Sequence, residues 1–325
     1  MFVGVRGSGE DAPYGRTVTG VRDALAARWQ GWGTVRQVWL DYPAADPHTL
    51  SSTPMTSLLL DHPFPSTEYF DSATKGAQAL VSLLRREEKR CPDEGVVLVG
   101  YSQGAQAITE ALGRTNVPSR LAGAVLIGNP DHYPNQNVRE LDGSAGLSSL
   151  GLASLLQYLR GQVKGDTRDE QVQSLIRTVI GVHEGTVDLS TLGDDMTRAH
   201  ANIPPDAYQS TYSVCQSGDL VCDADPAMER ILTMRSTWQE ALDAGRKVHG
   251  SYRADRMSHT LEAVSARMNS MAATRSSPSP SPRAVPTPGK GRSPWWQFAV
   301  TGGAGLLVGV VMGAGLTRKR RRRRR

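Results

Sequence analysis

Short apolar runs recur along the first 275 residues, bounded by glycine, proline or polar turns. They are rich in valine, isoleucine, leucine and aromatic residues, which is typical of buried β-strands. The runs predict five strands: Phe2–Val5, Val35–Tyr42, Val96–Val99, Leu121–Ile127 and Tyr208–Val214.

Between these runs, apolar residues recur every three or four positions, which is the spacing of an amphipathic helix. Val18, Val21 and Leu25 show this spacing in the first such stretch. The pattern predicts five helices: Thr17–Trp29, Glu68–Glu88, Ala105–Leu112, Ala227–Lys247 and Asp255–Ala272. Strands that alternate with helices predict an α/β fold with a central, parallel five-stranded sheet flanked by helices.

The alternation loosens between Asp131 and Pro205. This stretch holds one helical pattern, Glu170–Ile180, and a run rich in Gly, Ser and Leu at residues 143–158. We expect residues 131–205 to be an insertion over the carboxyl ends of the strands, where open α/β sheets bind ligands. Two interpretations stay open, a mobile lid and a plain surface excursion.

The pattern changes after residue 275, where we expect the folded domain of residues 1–275 to end. Residues 276–294 hold six prolines among serine, glycine and arginine, a composition that predicts an extended linker. Residues 295–316 are uncharged, and as a helix of about 33 Å they would cross a bilayer core of ~30 Å. Residues 317–325 then form a basic cytoplasmic tail. Gly305, Gly309 and Gly313 recur every fourth residue along this predicted transmembrane helix, a spacing that suggests a dimer.

The formal net charge of +5 comes from that tail. Residues 318–325 carry eight positive charges, so the other 317 residues hold 29 Lys and Arg against 32 Asp and Glu. The folded part therefore shows no sign of a polyanion partner, and we predict no nucleic-acid binding. A cytoplasmic protein with a nucleic-acid-binding arginine tail is the opposing interpretation, and it predicts soluble fractionation and no disulfide.

Three cysteines are too few for a zinc cluster, and we predict no metal site. Cys215 and Cys222 lie seven residues apart across a Gly-Asp turn, so a disulfide between them is expected, which would indicate an oxidising compartment. No signal peptide follows Met1, because the chain runs directly into the first apolar strand.

The candidate chemistry centres on Gly100-Tyr101-Ser102-Gln103-Gly104, which directly follows a predicted strand and precedes a predicted helix. The pattern G-x-S-x-G in that context is typical of a nucleophile elbow, a sharp turn that exposes a serine. Glycine at 100 and 104 removes side-chain bulk beside the turn. Ser102 would then lie at a helix N-terminus, where free N–H groups favour a developing oxyanion. A glycine-rich turn with an ordinary serine is the alternative.

A serine nucleophile needs a base and an acid that orients the base. Asp219 follows a predicted strand within the Cys215–Cys222 loop and is the best acid candidate, although aspartate after glycine is also common in turns. In α/β-hydrolases the histidine follows the acid, which leaves His249 and His259. His249 lies in a predicted loop and is preferred, whereas His259 falls inside the last predicted helix. The remaining histidines precede Asp219 and are expected mostly on the surface or in the insertion: His48, His62, His132, His183 and His200.

Two donors are needed for an oxyanion hole. The backbone N–H of Gln103 is one, as the residue after the nucleophile. Ser8 in the loop Gly7-Ser8-Gly9 is the other, through its N–H, its hydroxyl or both. A phosphate cradle is the alternative for this loop, although it lacks the lysine and the spacing of a P-loop.

Taken together, these motifs resemble those of the cutinase family, most of all its actinobacterial cutinase-like serine esterases. The resemblance covers residues 1–272 and rests on several motifs in order: Val5–Glu10, Tyr42–Ala44, Gly100–Ala105, Gly128–Pro130, Cys215–Cys222 and His249-x-x-Tyr252. It implies an α/β-hydrolase fold of about five parallel strands, hydrolysis of carboxylic esters and no cofactor. By position it implies Ser102 as nucleophile, Asp219 as orienting acid, His249 as base, and Ser8 with Gln103 as oxyanion hole.

The sequence departs from the family in two places. The family pairs a cysteine before the first strand with one before the elbow strand, and only the second, Cys91, is present here. We therefore expect an upstream segment that carries the missing cysteine and a signal peptide. The segment between Asp219 and His249 and the insertion of residues 131–205 are longer than in compact cutinases, which favours smaller or lipidic esters over a polymer.

The sequence thus predicts a membrane-tethered, extracytoplasmic serine esterase that acts on an ester or lipid. An acyltransferase with the same triad is one alternative, because an alcohol can replace water at the acyl-enzyme. A non-catalytic surface binding module on a hydrolase scaffold is the other.

Overall fold

The computed structural model describes residues 1–276 except 31, 32, 117, 147, 188, 190 and 191. The chain divides into two units, Met1–Pro278 and Ser279–Arg325, and all described residues belong to the first. The predicted linker beyond residue 276, the predicted transmembrane helix with Gly305, Gly309 and Gly313, and the basic tail lie outside the described residues. Within that described part, no helix has both the length and the hydropathy needed to cross a bilayer.

Six parallel strands form one sheet in the described residues. In chain order they are β1 (Phe2–Val5), β2 (Gln37–Trp39), β3 (Val96–Tyr101), β4 (Leu121–Ile127), β5 (Arg139–Gly143) and β6 (Thr211–Cys215). Their order in the sheet is β2-β1-β3-β4-β6-β5. The predicted count of five strands is therefore wrong by one. The missed strand, β5, is the edge strand Arg-Glu-Leu-Asp-Gly, and it shows no apolar run because it pairs on one side only, with β6.

Eleven α-helices surround the sheet in the described part of the chain. They are α1 (Gly15–Arg28), α2 (His48–Ser51), α3 (Met55–Leu60), α4 (Glu68–Arg90), α5 (Gln103–Leu112), α6 (Leu152–Gln162), α7 (Arg168–His183), α8 (Leu192–Arg198), α9 (Asp225–Leu232), α10 (Trp238–His249) and α11 (Ser258–Ser276). Helices α4 and α5 bury their apolar faces against one side of the sheet. Helices α1 and α11 cover the other side.

The insertion of residues 131–205 is a packed layer. Besides β5 it contains α6, α7 and α8, which share a hydrophobic core with α3 and α9. Helix α7 begins at a capping box, in which Thr167 and Glu170 satisfy each other's backbone N–H groups. This layer lies beside the carboxyl ends of the strands, since Gly151 N–H donates to His132 O and Leu152 N–H donates to Val221 O.

Two predicted elements have different boundaries in the structure. The predicted helix Ala227–Lys247 is two helices, because Thr237 and Glu240 form a second capping box that starts α10. His249 is the last residue of α10 and does not lie in a loop, because the helix continues until Gly250 caps it. The predicted strand Tyr208–Val214 begins as a 3₁₀ turn, Pro205–Ser210, and is extended only from Thr211.

Candidate active site

Ser102 sits at the apex of the turn between β3 and α5, with φ 55° and ψ −124°. A non-glycine residue adopts this left-handed conformation at an energetic cost, which is often found at functional sites. The flanking glycines are required by close packing. A Cβ atom at Gly100 would lie 2.5 Å from Gly104 O, and one at Gly104 would collide with the Val5 and Arg6 carbonyls. The Ser102 N–H donates to Ile127 O at 2.8 Å, which ties the turn to the end of β4.

Gln103 occupies the first position of α5, so its backbone N–H has no acceptor within the helix. Its side chain is fully buried and held at both ends. Its Oε1 accepts the Ser72 hydroxyl at 3.0 Å, and its Nε2 donates to Tyr69 O at 2.8 Å. The Gln103 N–H therefore has a fixed position beside Ser102.

Ser8 lies in the turn after β1 and lines the same cavity as Ser102. The turn is fixed by its neighbours. Gly7 N–H donates to the Glu10 carboxylate at 2.8 Å, and Gly9 N–H donates to Ala44 O at 2.8 Å. The backbone around Ser8 is thus held against the rest of the domain.

Asp219 and His249 are in direct contact. The His249 Nδ1 lies 2.9 Å from Asp219 Oδ2 and 3.0 Å from Oδ1. The Asp219 side chain is fully buried, and Val221 N–H donates to its Oδ1 at 2.9 Å. The Tyr252 hydroxyl donates to Oδ2 at 2.8 Å. The carboxylate thus meets three donors, which fix its orientation toward His249.

The sequence gave no role to two tyrosines that hold this pair. Tyr101, the residue before the nucleophile, stacks on the His249 ring at 4.8 Å, and its hydroxyl donates to His249 O at 2.7 Å. Burial raises the pKa of Tyr101 and of Tyr252, and in both cases the Asp219 carboxylate adds to the rise, so both phenols stay protonated and can donate. The only available signals were their places in the elbow and in His249-x-x-Tyr252.

The predicted Cys215–Cys222 disulfide is confirmed, with Cα atoms 5.9 Å apart. It closes the loop that carries Asp219 at the end of β6. Cys91 is a free, half-buried cysteine.

The other histidines lie elsewhere. His259 is in α11 as predicted, 73% exposed and 3.0 Å from Asp142. His132, expected on the surface or in the insertion, is buried beside Ser213 and Glu140, and burial lowers its pKa to about 4.

A cavity of about 260 Å³ joins these groups. Ser102, His249 and Ser8 line it together with Glu10 and Arg16 at one end. The remaining wall is largely apolar: Pro47, Leu50, Tyr69, Leu152, Leu220, Val221, Trp238 and Leu242. The Tyr69 hydroxyl also hydrogen-bonds with Ser102. In the described part of the chain, no group of three or more His, Cys, Asp and Glu side chains is arranged to hold a metal ion.

Comparisons with known proteins were made on this chain. The family model described as Cutinase matches residues 1–241. Cutinase 11 of Verticillium dahliae is 37% identical over 78 residues, which cover 19% of this chain and 26% of that protein. The match thus spans about a quarter of the length of that relative.

Two solved structures are similar in fold. One is a cutinase-like protein from Cryptococcus sp., with a TM-score of 0.46 and 18% identity over 83% of this chain and 93% of that chain. The other is an acetylxylan esterase, with a TM-score of 0.47 and 17% identity over 82% of this chain and 97% of that chain.

Proposed function

Since the chain belongs to the cutinase family, we propose that it is a serine esterase that hydrolyses carboxylic esters through a Ser102–Asp219–His249 triad. One observation carries the proposal. A serine in a nucleophile-elbow conformation shares one cavity with a histidine whose other face meets a buried aspartate. Such an arrangement serves nucleophilic catalysis on an acyl carbon.

The protonation of His249 follows from its partner. A carboxylate only accepts hydrogen bonds, so the Nδ1 that faces Asp219 carries a proton and Nε2 keeps its lone pair. His249 Nε2 then takes the Ser102 hydroxyl proton while Ser102 Oγ attacks the ester carbonyl. Asp219 stabilises the imidazolium that forms.

The attack moves negative charge onto the carbonyl oxygen. The Gln103 N–H and the Ser8 N–H or hydroxyl are the donors that we assign to this oxyanion. Removing one such donor typically lowers kcat on the order of 10²–10³-fold. Collapse of the tetrahedral intermediate expels the alcohol, which takes the proton from His249. Water then repeats the sequence on the acyl-enzyme and releases the acid and Ser102.

The cavity walls indicate the substrate class. An apolar wall that includes Leu152, Leu220 and Trp238 suits an aliphatic acyl group, and about 260 Å³ suits a short or medium chain better than a polymer segment. Glu10 and Arg16 form the polar end, where an alcohol with hydroxyl groups would leave. We propose small or lipidic esters as substrates.

The Cys215–Cys222 disulfide supports a domain that works outside the cytoplasm, because such bonds persist in oxidising compartments. We further propose that residues 295–316 anchor the chain in the membrane. Carbonate-washed membranes that retain the chain, combined with external protease that removes the domain from intact cells, would support this. Recovery of the full chain in the soluble fraction would overturn it.

Hydrolysis of p-nitrophenyl esters of increasing acyl length tests the esterase. Ser102→Ala should lower kcat on the order of 10⁶-fold, the scale seen when a serine protease loses its nucleophile. Ser82→Ala, an exposed serine on α4, is the matched control and should leave activity unchanged. Activity that survives Ser102→Ala would refute the proposal. Ester formation with an added alcohol, in place of free acid, would identify the acyltransferase instead.

A further inference from the structure

A second cavity, also of about 260 Å³, lies behind the wall of the first. The starts of α4 and α6 separate the two. Tyr69 and Leu152 line the cavity that holds Ser102, whereas the next residues, Phe70 and Ala153, line the second cavity. The two cavities share no lining residue, so the second needs an explanation of its own.

One end of the second cavity is polar and deeply buried. Asp131 is 3% exposed, Gln106 5% and Glu110 7%. The Gln106 Nε2 donates to Asp131 Oδ1 at 3.3 Å, and the neighbouring Gln136 donates to the Asp131 carbonyl at 3.1 Å. These bonds use the amide donors on Asp131 and turn the amide oxygens elsewhere.

Three buried oxygens around Asp131 have no hydrogen-bond partner: Asp131 Oδ2, Gln106 Oε1 and Gln136 Oε1. All three are acceptors. Buried polar groups in native proteins are nearly always paired, so this end of the cavity calls for a ligand that brings donors. An ammonium group brings three N–H donors and no acceptor.

The charge at this end is also unbalanced. Glu110 pairs with Arg114 at 3.2 Å. Asp131 has no Lys, Arg or His at ion-pair distance within the described residues. A cation placed beside Asp131 would neutralise a carboxylate that the protein leaves unpaired.

The opposite end suits an apolar body and a positive charge. Phe64 and Phe70 pack edge to face at 5.3 Å, and Leu156 and Met196 complete the wall. Aromatic faces attract cations. Phe64 is 37% exposed, which opens this end to solvent.

We propose that this second cavity binds a primary alkylammonium ion. Its N–H groups donate to Asp131 and Gln106, and its alkyl chain lies along Phe64, Phe70 and Met196. This inference stands apart from the proposed esterase, because it concerns binding at residues that the triad does not use.

The site has a built-in pH dependence. The charged and titratable groups that face Asp131 are Glu110 with Arg114 on α5, Tyr69 on α4, and Tyr133. Burial, with Glu110 next, raises the pKa of Asp131. A cation binds the ionised form and so displaces a proton, which makes binding tighter as pH rises.

Calorimetric titration of the full chain with n-butylammonium chloride tests the proposal, with 1-butanol as the neutral isostere. We expect the ammonium to bind about tenfold or more tightly than butanol, since hydrogen bonds to charged groups contribute ~1.5–3 kcal/mol. Binding should tighten from about pH 6 to about pH 8, while the ammonium stays charged. Equal binding of both probes, or ammonium binding that does not tighten, would overturn the proposal.

Variants locate the site. Asp131→Asn should weaken ammonium binding about tenfold or more, whereas Glu87→Gln, a buried acid on α4 that pairs with Arg36, should not. Should Asp131→Asn fail to fold by circular dichroism, Ala199→Phe decides, because Ala199 lines the cavity from an exposed position. Its added ring should block binding. Binding that persists in Asp131→Asn or in Ala199→Phe would overturn the proposal.

Discussion

Gly128→Ala is the sharpest test of the Asp219–His249 geometry. Gly128 follows β4 with φ +58°. A Cβ atom there would lie 2.9 Å from His249 Cε1, 3.1 Å from His249 Nδ1 and 3.2 Å from Asp219 Oδ2. The substitution changes neither residue of the pair and adds a single methyl group against their contact.

The expected size of the effect has two parts. Alanine in the left-handed region costs about 1–2 kcal/mol relative to glycine, which lowers the Tm of a domain of this size by roughly 2–4 °C per kcal/mol. Relief of the 2.9 Å contact moves the His249 ring by several tenths of an ångström or more, and misplacement by ~1 Å can cost about 10²-fold in rate. We therefore expect kcat to fall about 10–100-fold while KM changes little.

Gly185→Ala separates the two parts. Gly185 has φ +67°, and nothing lies within 4 Å of a Cβ atom built there. Both variants should therefore lose similar Tm, measured by scanning calorimetry, but only Gly128→Ala should lose kcat with a p-nitrophenyl ester. The reasoning is refuted when Gly128→Ala keeps its kcat within about twofold of Gly185→Ala.

Three further predictions follow from contacts described above. Tyr252→Phe removes the hydroxyl that donates to Asp219, and kcat should fall about tenfold to 100-fold, the equivalent of one hydrogen bond to a charged group; unchanged steady-state kinetics would contradict this role. Reduction of Cys215–Cys222 should lower the free energy of unfolding by ~2–3 kcal/mol in urea titrations, as the loop-entropy model gives for eight residues, and equal urea midpoints with and without reductant would rule that out. Burial raises the pKa of Glu110 from 4.5 to about 7, so the wild type should lose stability relative to Glu110→Gln as pH rises from about 4.5 to about 7, whereas parallel stability curves would show that burial does not perturb this group.

The parts of the fold that sequence reasoning predicted are those encoded by neighbouring residues. Strands β3 and β4 are apolar at nearly every position, and the elbow combines a strand, two glycines and a helix within a few residues. The break between α9 and α10 was also encoded locally, by Thr237 and Glu240, but the continuous apolar spacing concealed it. Strand β5 carried no such signal, because an edge strand of charged residues looks like a loop.

The site was harder to predict where it depends on distant residues. The hydrogen bond from Tyr101 to His249 joins positions 148 residues apart, and no local pattern reports it. The order of Ser102, Asp219 and His249 came from the chain order of α/β-hydrolases, whereas their supporting tyrosines depend on how β3 and α10 pack. Asp131 and Glu110 were missed because an acid within an apolar stretch gives no sign of its neighbours.

Helix α10 carries Trp238 and Leu242 on the cavity wall and His249 at its end. The surface that gauges the acyl group and the group that moves the proton therefore belong to one rigid rod. An acyl group too bulky for the wall pushes the rod and tilts the imidazole away from Ser102. The enzyme would thus reject such a substrate in turnover even when it binds, and selectivity would be read in kcat before it is read in affinity.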